Sequence, residues 1–243
     1  MHGHRIRAVD GEIGKVSDWY FEDDSWAVRY LVADTGRWLP GRLVLLAPAV
    51  VAAADEDARA IEVGLTREQI EASPPAESDQ PVSRQYEEAL QRHYGWPAYW
   101  TPAGGLAGTP QLDTMGPALV PGDTAWMDAG GPEPETGGNP RLRSAREAAR
   151  YVIEASDGGI GDVTDLIIDD EDWLVRYVVV DTKPWWPGGD VLVETAQVRE
   201  VNWVRRSVAV NLSREEVRTS PPYDPARPVN RELQRKRSQW HRG

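Results

Sequence analysis

The sequence predicts an all-β protein built from two homologous small β-barrels, with short helical segments after each barrel. The first observation is a repeat: Asp157–Asp181 reads DGGIGDVTDLIIDDEDWLVRYVVVD, and Asp10–Asp34 reads DGEIGKVSDWYFEDDSWAVRYLVAD, 147 residues earlier (157 − 10). Each copy has a D-G-x-I-G turn, an alternating segment, an acidic break and W-x-V-R-Y-x-V-x-D, which together indicate a β-hairpin. The second observation is that the strands are short and closely spaced, which favours a small barrel or sandwich over a parallel sheet.

The repeat divides the 243-residue chain into four parts. We assign the first barrel to residues 1–80 and the second to residues 144–223. Between them, residues 81–143 are predicted to form a helix and a connector rich in Gly, Pro and Trp. Residues 224–243 form a basic C-terminal tail.

The first copy is expected to contain five or six short strands and a terminal, capped helical turn. Apolar residues occupy both faces of the segment after the acidic break, so that strand should be buried on both sides. Thr66-x-x-Gln69 has the form of a capping box, and Pro74-Pro75 ends the helical turn that it opens. The predicted strands are Arg5–Val9, Ile13–Phe21, Trp26–Asp34, Leu43–Leu46 and Ala58–Val63.

The second copy follows the first in the same order. Ser213 and Glu216 repeat the capping box, and Pro228-Val229-x-Arg231 repeats Pro81-Val82-x-Arg84. Within the second copy, a helical segment is predicted from Ser144 and a strand at Tyr151–Ala155, equivalent to the strand before Asp10. Outside the barrels, helices are predicted at Val82–Tyr94 and Val229–Gln239, and an irregular connector at 95–139.

Charge and composition exclude several classes of function. The net charge is −12; residues 1–80 carry 8 Lys and Arg against 15 Asp and Glu, and residues 144–223 carry 9 against 15. Acidic barrels disfavour nucleic acid and anionic lipid as partners. The chain has no cysteine, which excludes disulfides, thiolate nucleophiles and Cys-ligated metals. Since no apolar run approaches a membrane span and the N-terminus has no signal-peptide core, we expect a cytoplasmic protein.

The two D-G-x-I-G turns, the acidic hairpin tips and the two W-x-V-R-Y-x-V-x-D strands together resemble the PRC-barrel family. This family is named for the cytoplasmic domain of the photosynthetic reaction centre H subunit, and a similar barrel forms the C-terminal half of the ribosome maturation factor. The layout, with a YGWPAYW connector, is similar to bacterial tandem PRC-barrel proteins. The resemblance implies small, strongly bent barrels that act through protein contacts and carry no family-wide catalytic residues.

One arginine stands in the middle of a strand in each copy, at Arg29 and at Arg176. A buried arginine needs an acidic partner. Asp18 and Asp165 lie across the predicted hairpins, so the sequence predicts the structural ion pairs Arg29–Asp18 and Arg176–Asp165. Contact with a ligand or partner is the alternative role for these arginines.

Five tryptophans are candidate contacts for a protein partner. Trp38 and the Trp185-Trp186 pair precede proline turns, where they either plug the barrel or anchor a partner. Trp186 is the better surface candidate because its counterpart in the first copy is Leu39. Trp96 and Trp100, in the connector, either pin it to a barrel or contact a partner.

No catalytic, cofactor or metal site is predicted. The acidic tips, residues 22–24 and 169–172, supply only part of the oxygen shell of Ca²⁺ and are interpreted as solvated turns, with cation binding as the alternative. All four histidines lie outside the repeated cores. The D-G-x-I-G glycines lead into strands rather than helices, so they are interpreted as turn residues rather than a phosphate cradle.

These observations favour a non-enzymatic, cytoplasmic interaction or adaptor protein with an unidentified protein partner. A small-molecule or divalent-cation-binding regulator is the alternative, and an accessory factor for the reaction centre or the ribosome is a third reading, by fold analogy alone. The duplication suggests that the barrels pack as an intramolecular pseudo-dimer, and homo-oligomerisation stays open. The basic tail is interpreted as a solvated or self-docked helix.

Overall fold

A computed structural model describes residues 2–55, 58–74, 76, 82, 84–96, 98–99, 141–183, 189–220 and 223. They divide into two compact units. Unit 1 is the chain up to Ala145 together with Asp169–Leu174, and unit 2 is Arg146–Ile168 together with the residues from Val175. Each unit is dominated by one sheet, which confirms the mainly β class.

Unit 1 contains a seven-stranded sheet and two helices. The sheet order is β4-β3-β2-β1-β6-β5, and β7 pairs with β2 beside this path. β1 pairs antiparallel with β2 and parallel with β6. The elements are β1 (Arg5–Ala8), β2 (Gly11–Glu22), β3 (Val28–Asp34), β4 (Leu43–Leu46), β5 (Val51–Asp55), β6 (Ala60–Val63), α1 (Arg67–Glu71), α2 (Arg84–Tyr94) and β7 (Leu142–Ser144).

The rest of the chain repeats this arrangement. The sheet of unit 2 has the order β11-β10-β9-β8-β13-β12, with β8 parallel to β13. The remaining elements are α3 (Ala145–Ala148), β8 (Val152–Ala155), β9 (Gly158–Asp169), β10 (Leu174–Asp181), β11 (Asp190–Glu194), β12 (Val198–Asn202), β13 (Ser207–Val210) and α4 (Arg214–Thr219). Within the described residues, the strand ladders of each unit form an open path, and no ladder joins its two edge strands.

Both predicted capping boxes are present. The side chain of Thr66 accepts the backbone N–H of Gln69 at the start of α1, and Ser213 accepts that of Glu216 at the start of α4. These bonds satisfy backbone donors that the first helical turn leaves without partners. Helix α2, which the sequence predicts at Val82–Tyr94, begins at Arg84 and ends at Tyr94.

The strand after the acidic break is buried on both faces, as its sequence predicts. In β3 the four consecutive residues from Tyr30 to Ala33 are buried, and so is Val28. Trp26, which was expected to begin this strand, has φ 59° and precedes it, and its ring stacks on Phe21 at 5.3 Å. The left-handed backbone at Trp26 therefore delays the strand until Val28.

The tightest backbone approach in each unit involves the second glycine of D-G-x-I-G. A Cβ on Gly14 would lie 2.0 Å from the carbonyl oxygen of Asp34, and one on Gly161 would lie 2.0 Å from that of Asp181. Both glycines also have positive φ, 146° and 149°. The D-G-x-I-G pattern therefore reflects a place where the neighbouring strand leaves no room for a side chain.

Replacing Gly14 with Ala should lower the free energy of unfolding by about 2–3 kcal/mol, because the added methyl group overlaps the backbone of β3. Chemical denaturation of the full chain measures this, and Gly161→Ala should have an effect of similar size. Gly64→Ala is the control, since its Cβ would meet nothing nearer than 3.9 Å. A Gly14→Ala variant as stable as Gly64→Ala would contradict this account of the motif.

Candidate protein-interaction surface

The sheet of unit 1 has an apolar face made by β3 and β4. Tyr30 and Val32 alternate along β3, and Leu45 is the register partner of Val32. The three side chains therefore point to one side of the sheet. They form one packed cluster in which each is at most 2% exposed. We call this set the apolar face of unit 1.

Helix α2 covers this face. Leu90, which is 0% exposed, belongs to the same cluster, and Tyr86 and Tyr94 are partly buried against it. These residues are four apart, which places them on one side of the helix. Glu88 and Arg92, on the other side, are exposed. The helix thus closes the sheet with an aromatic and apolar stripe.

A fully buried carboxylate joins the helix to the sheet. Glu87, at 0% exposure, accepts hydrogen bonds from the hydroxyl groups of Tyr30 at 3.2 Å and Tyr99 at 2.6 Å. Burying a carboxyl group is costly unless hydrogen bonds satisfy it. Tyr30 therefore contributes twice, with its ring to the apolar face and with its hydroxyl to the helix.

Arg29 has a different acidic partner from the one that the sequence predicts. Its guanidinium group forms an ion pair with Glu22, with Nη2 and Nε at 2.5 and 3.0 Å from Oε2, and lies 4.1 Å from the centre of the Tyr99 ring. The strand register is the reason, since Asp18 lies opposite Val32 and Phe21 opposite Val28, which leaves Arg29 beside the end of β2 and close to Glu22. The predicted pair Arg29–Asp18 is therefore wrong.

Asp18 instead connects β2 to strand β7. Its Oδ2 accepts a hydrogen bond from Ser144 Oγ at 2.5 Å, and its Oδ1 accepts the backbone N–H of Trp19 at 2.8 Å. In unit 2, Asp165 Oδ1 accepts the backbone N–H of Leu166 at 2.8 Å, so this aspartate follows the same local pattern. The predicted role of Asp165 as the partner of Arg176 finds no support among the described contacts.

The acidic tip of unit 1 is engaged by arginines. β7 adds to the end of β2, and Asp23 and Asp24 form ion pairs with Arg143 at 3.0 Å and Arg141 at 2.8 Å. Glu22 is paired with Arg29, as described above. Among the described residues, no group of three or more His, Asp or Glu side chains could hold a metal ion. The carboxylates of this tip therefore bind protein groups.

Burial raises the pKa of three tyrosines of this surface above the usual value of a phenol. For Tyr86, burial is the main cause, and the neighbouring Tyr94 and Tyr20 raise the pKa further. Burial is also the main cause of the raised pKa of Tyr20 and of Tyr94. A neutral phenol can donate a hydrogen bond, and Tyr86 donates to the carbonyl oxygen of Pro74 at 2.8 Å. The covered face is thus apolar with polar groups at its rim.

Unit 2 carries the same face. Tyr177, Val179 and Leu192 stand 147 residues after Tyr30, Val32 and Leu45, and they form a cluster in which none is more than 4% exposed. Ile167 and Tyr223 pack against them. We call this set the apolar face of unit 2.

Two of the five candidate tryptophans lie in the described part of the chain, and both are partly buried. Trp38 is half-buried beneath the guanidinium group of Arg67, which lies 4.8 Å from its ring centre. Trp96 is half-buried and stacks on Tyr94 at 4.3 Å. Both side chains therefore pack against residues of unit 1, and their role as partner contacts stays a prediction. Trp100, Trp185 and Trp186 lie outside the described residues, as do most of the connector and the helix predicted at Val229–Gln239.

Sequence reasoning missed Glu87, Leu90 and Tyr99. The helix itself was predicted, but its position over the β3–β4 face was not. The signal was present in the four-residue spacing of Val82, Tyr86, Leu90 and Tyr94, which predicts an apolar stripe and hence a surface to receive it. Glu87 is next to that stripe, and nothing in the sequence marks it as buried.

Comparison of the chain with protein-family models gives no match, and comparison with curated proteins gives none. None of the helices in the described part of the chain is long and apolar enough to cross a membrane.

The Arg29–Glu22 pair should be energetically coupled. Arg29→Met should lower the free energy of unfolding by about 1–2 kcal/mol, since both side chains are mostly buried and Tyr99 loses its stacked cation. A double-mutant cycle with Glu22→Gln, followed by chemical denaturation, should give a coupling energy of about 1 kcal/mol.

The control for this cycle is Arg37→Met, because Arg37 is exposed. Its effect should be within about 0.5 kcal/mol of zero. Additive effects of Arg29→Met and Glu22→Gln would contradict the pairing.

Proposed function

We propose that the chain is a non-enzymatic, cytoplasmic interaction protein whose duplicated unit is a contact module for other polypeptide segments. The supporting observation is that unit 1 receives two segments from outside its repeat. Helix α2 covers its apolar face, and strand β7 extends β2. Helix-in-groove packing and strand addition are two recurring ways in which folded domains bind peptides.

We further propose that each unit is a barrel of the PRC type. The edge strands β4 and β5 are consecutive in the chain, and only a 3₁₀ turn at Pro48–Val50 separates them. The corresponding edges of unit 2, β11 and β12, are joined by a 3₁₀ turn at Thr195–Gln197. A connection this short brings the two edges of a sheet together, and that requires the sheet to curl.

The partner class that we propose is another protein, with Trp186 as a contact. Trp185 is the counterpart of Trp38, which packs against Arg67 of its own unit. The counterpart of Trp186 is Leu39, so this tryptophan occurs in the second copy alone. Tryptophan is enriched at the energetic centres of protein interfaces. Trp186 is therefore the residue whose removal should weaken partner binding without weakening the fold.

Affinity capture with the purified chain as bait, quantified by mass spectrometry, tests this proposal. The wild-type chain should retain a specific protein, and Trp186→Leu, which restores the residue of the first copy, should retain at least about tenfold less of it. Val204→Ser is the control, because Val204 is 97% exposed in the described structure and lies in a different turn.

Equal retention by wild type and Trp186→Leu would remove Trp186 from the interface. If the wild-type bait retains nothing beyond the empty matrix, the proposal of an interaction protein is wrong.

A further inference from the structure

We propose, building on the repeat as a contact module, that the apolar face of unit 2 is the docking surface for the chain's own C-terminal segment, residues 227–243, bound as a basic amphipathic helix. The segment would cover the apolar face of unit 2 as helix α2 covers the apolar face of unit 1.

The two faces are the same surface in two copies. Tyr177, Val179 and Leu192 occupy the strand positions of Tyr30, Val32 and Leu45. In unit 1 the face is covered by a whole helix, through Leu90 and its neighbours. In the described part of unit 2, the hydrophobic side chains packed on the face are those of Ile167 and Tyr223. All three residues of the face are buried, as their counterparts in unit 1 are.

The chain passes equivalent hydrogen-bonded positions at the edge of the two sheets, after α1 in unit 1 and after α4 in unit 2. In unit 1 the backbone N–H of Ala76 donates to the carbonyl oxygen of Leu43 at 3.1 Å, and in unit 2 Tyr223 donates to Asp190 at 2.6 Å. Each donor and each acceptor is 147 residues from its counterpart. Segments that start from equivalent points have the same reach across the sheet.

The segment after Tyr223 is long enough to cover the face. Helix α2 ends 18 residues after Ala76 (94 − 76), and 20 residues follow Tyr223 (243 − 223). The Pro-Val-x-Arg pattern that precedes α2 also recurs, as Pro228-Val229-x-Arg231. The length and the entry pattern of the tail thus match those of the segment that closes unit 1.

The tail has one apolar stripe and a basic remainder. At helical spacing, Val229, Leu233 and Trp240 lie within one narrow arc. Leu233 is the counterpart of Tyr86, whereas Arg237 is the counterpart of Leu90. The tail is therefore not a copy of α2, and Leu233 is the central apolar contact, with the methylene stem of Arg237 beside it.

Charge favours the same pairing. Residues 224–243 contain six Lys and Arg against two Asp and Glu, and the second repeat, residues 144–223, contains nine against fifteen. A basic segment tethered to an acidic unit is attracted to it, and the attraction weakens with salt. The face would accordingly select a basic amphipathic helix.

The test compares three full-length proteins: wild type, Leu233→Asp and Gln239→Asp. Both variants add the same charge to the tail, but Gln239 is the counterpart of Arg92, which is exposed on α2. Limited trypsin digestion reads docking directly, because the tail contains Arg235, Lys236 and Arg237 as cleavage sites. In Leu233→Asp, cleavage at these sites should be at least about tenfold faster than in wild type, and Gln239→Asp should behave as wild type.

A second measurement uses a fluorescein-labelled peptide of residues 227–243 and its fluorescence anisotropy. Leu233→Asp should bind the peptide at least about tenfold more tightly than wild type does, because a tethered tail competes at millimolar effective concentration. The same peptide carrying Leu233→Asp should not bind.

Equal cleavage rates in all three proteins, together with equal peptide binding, would overturn the docking proposal. That result would leave the capture experiment intact, because Trp186 lies between β10 and β11 in the sequence and is not one of the residues that form this face. Conversely, if the wild-type chain captures no partner but its tail is protected from trypsin, the proposed function is wrong and the docking proposal stands.

Discussion

The structure depends on covering both faces of a sheet whose central strands are apolar on both faces. In β3 the side chains of Leu31 and Ala33 lie on one face of the sheet, and those of Tyr30 and Val32 lie on the other. All four are buried. A small sheet cannot leave such a face in water, since exposing it would cost about 25 cal/mol for each Å² of apolar surface. Helix α2 is the solution in unit 1, and its buried Glu87 fixes the helix through Tyr30.

The duplication separates what the fold requires from what each copy has acquired. Both copies keep the crowded glycine, the capping box and the hydrogen bond that closes the D-G turn on the next helix, from Arg67 to Asp10 and from Arg214 to Asp157. The copies differ in the segments that lie against the sheets. Strand β7 and helix α2 belong to unit 1, and they engage its acidic tip and its apolar face.

The sequence predicted the elements far better than their contacts. Strands and capping boxes depend on local patterns, namely alternation, turn glycines and Thr66 or Ser213 three residues before a hydrogen-bonding side chain, and these were found. Arg29 was assigned to Asp18 rather than to Glu22 because the pairing register of β2 and β3 is set by the whole sheet and leaves no local signal. Glu87 was missed because a buried carboxylate on a polar-looking helix is recognisable only once its tyrosine partners are in place.

The most direct measurement is hydrogen exchange at the β3 amides of Leu90→Ala, with Glu88→Ala as the control on the exposed side of the same helix. If α2 closes the apolar face of unit 1, Leu90→Ala should lower the opening free energy of the amides of Tyr30 to Ala33 by about 2–5 kcal/mol. Glu88→Ala should change it by less than about 0.5 kcal/mol. Equal protection of β3 in the two variants would contradict the account.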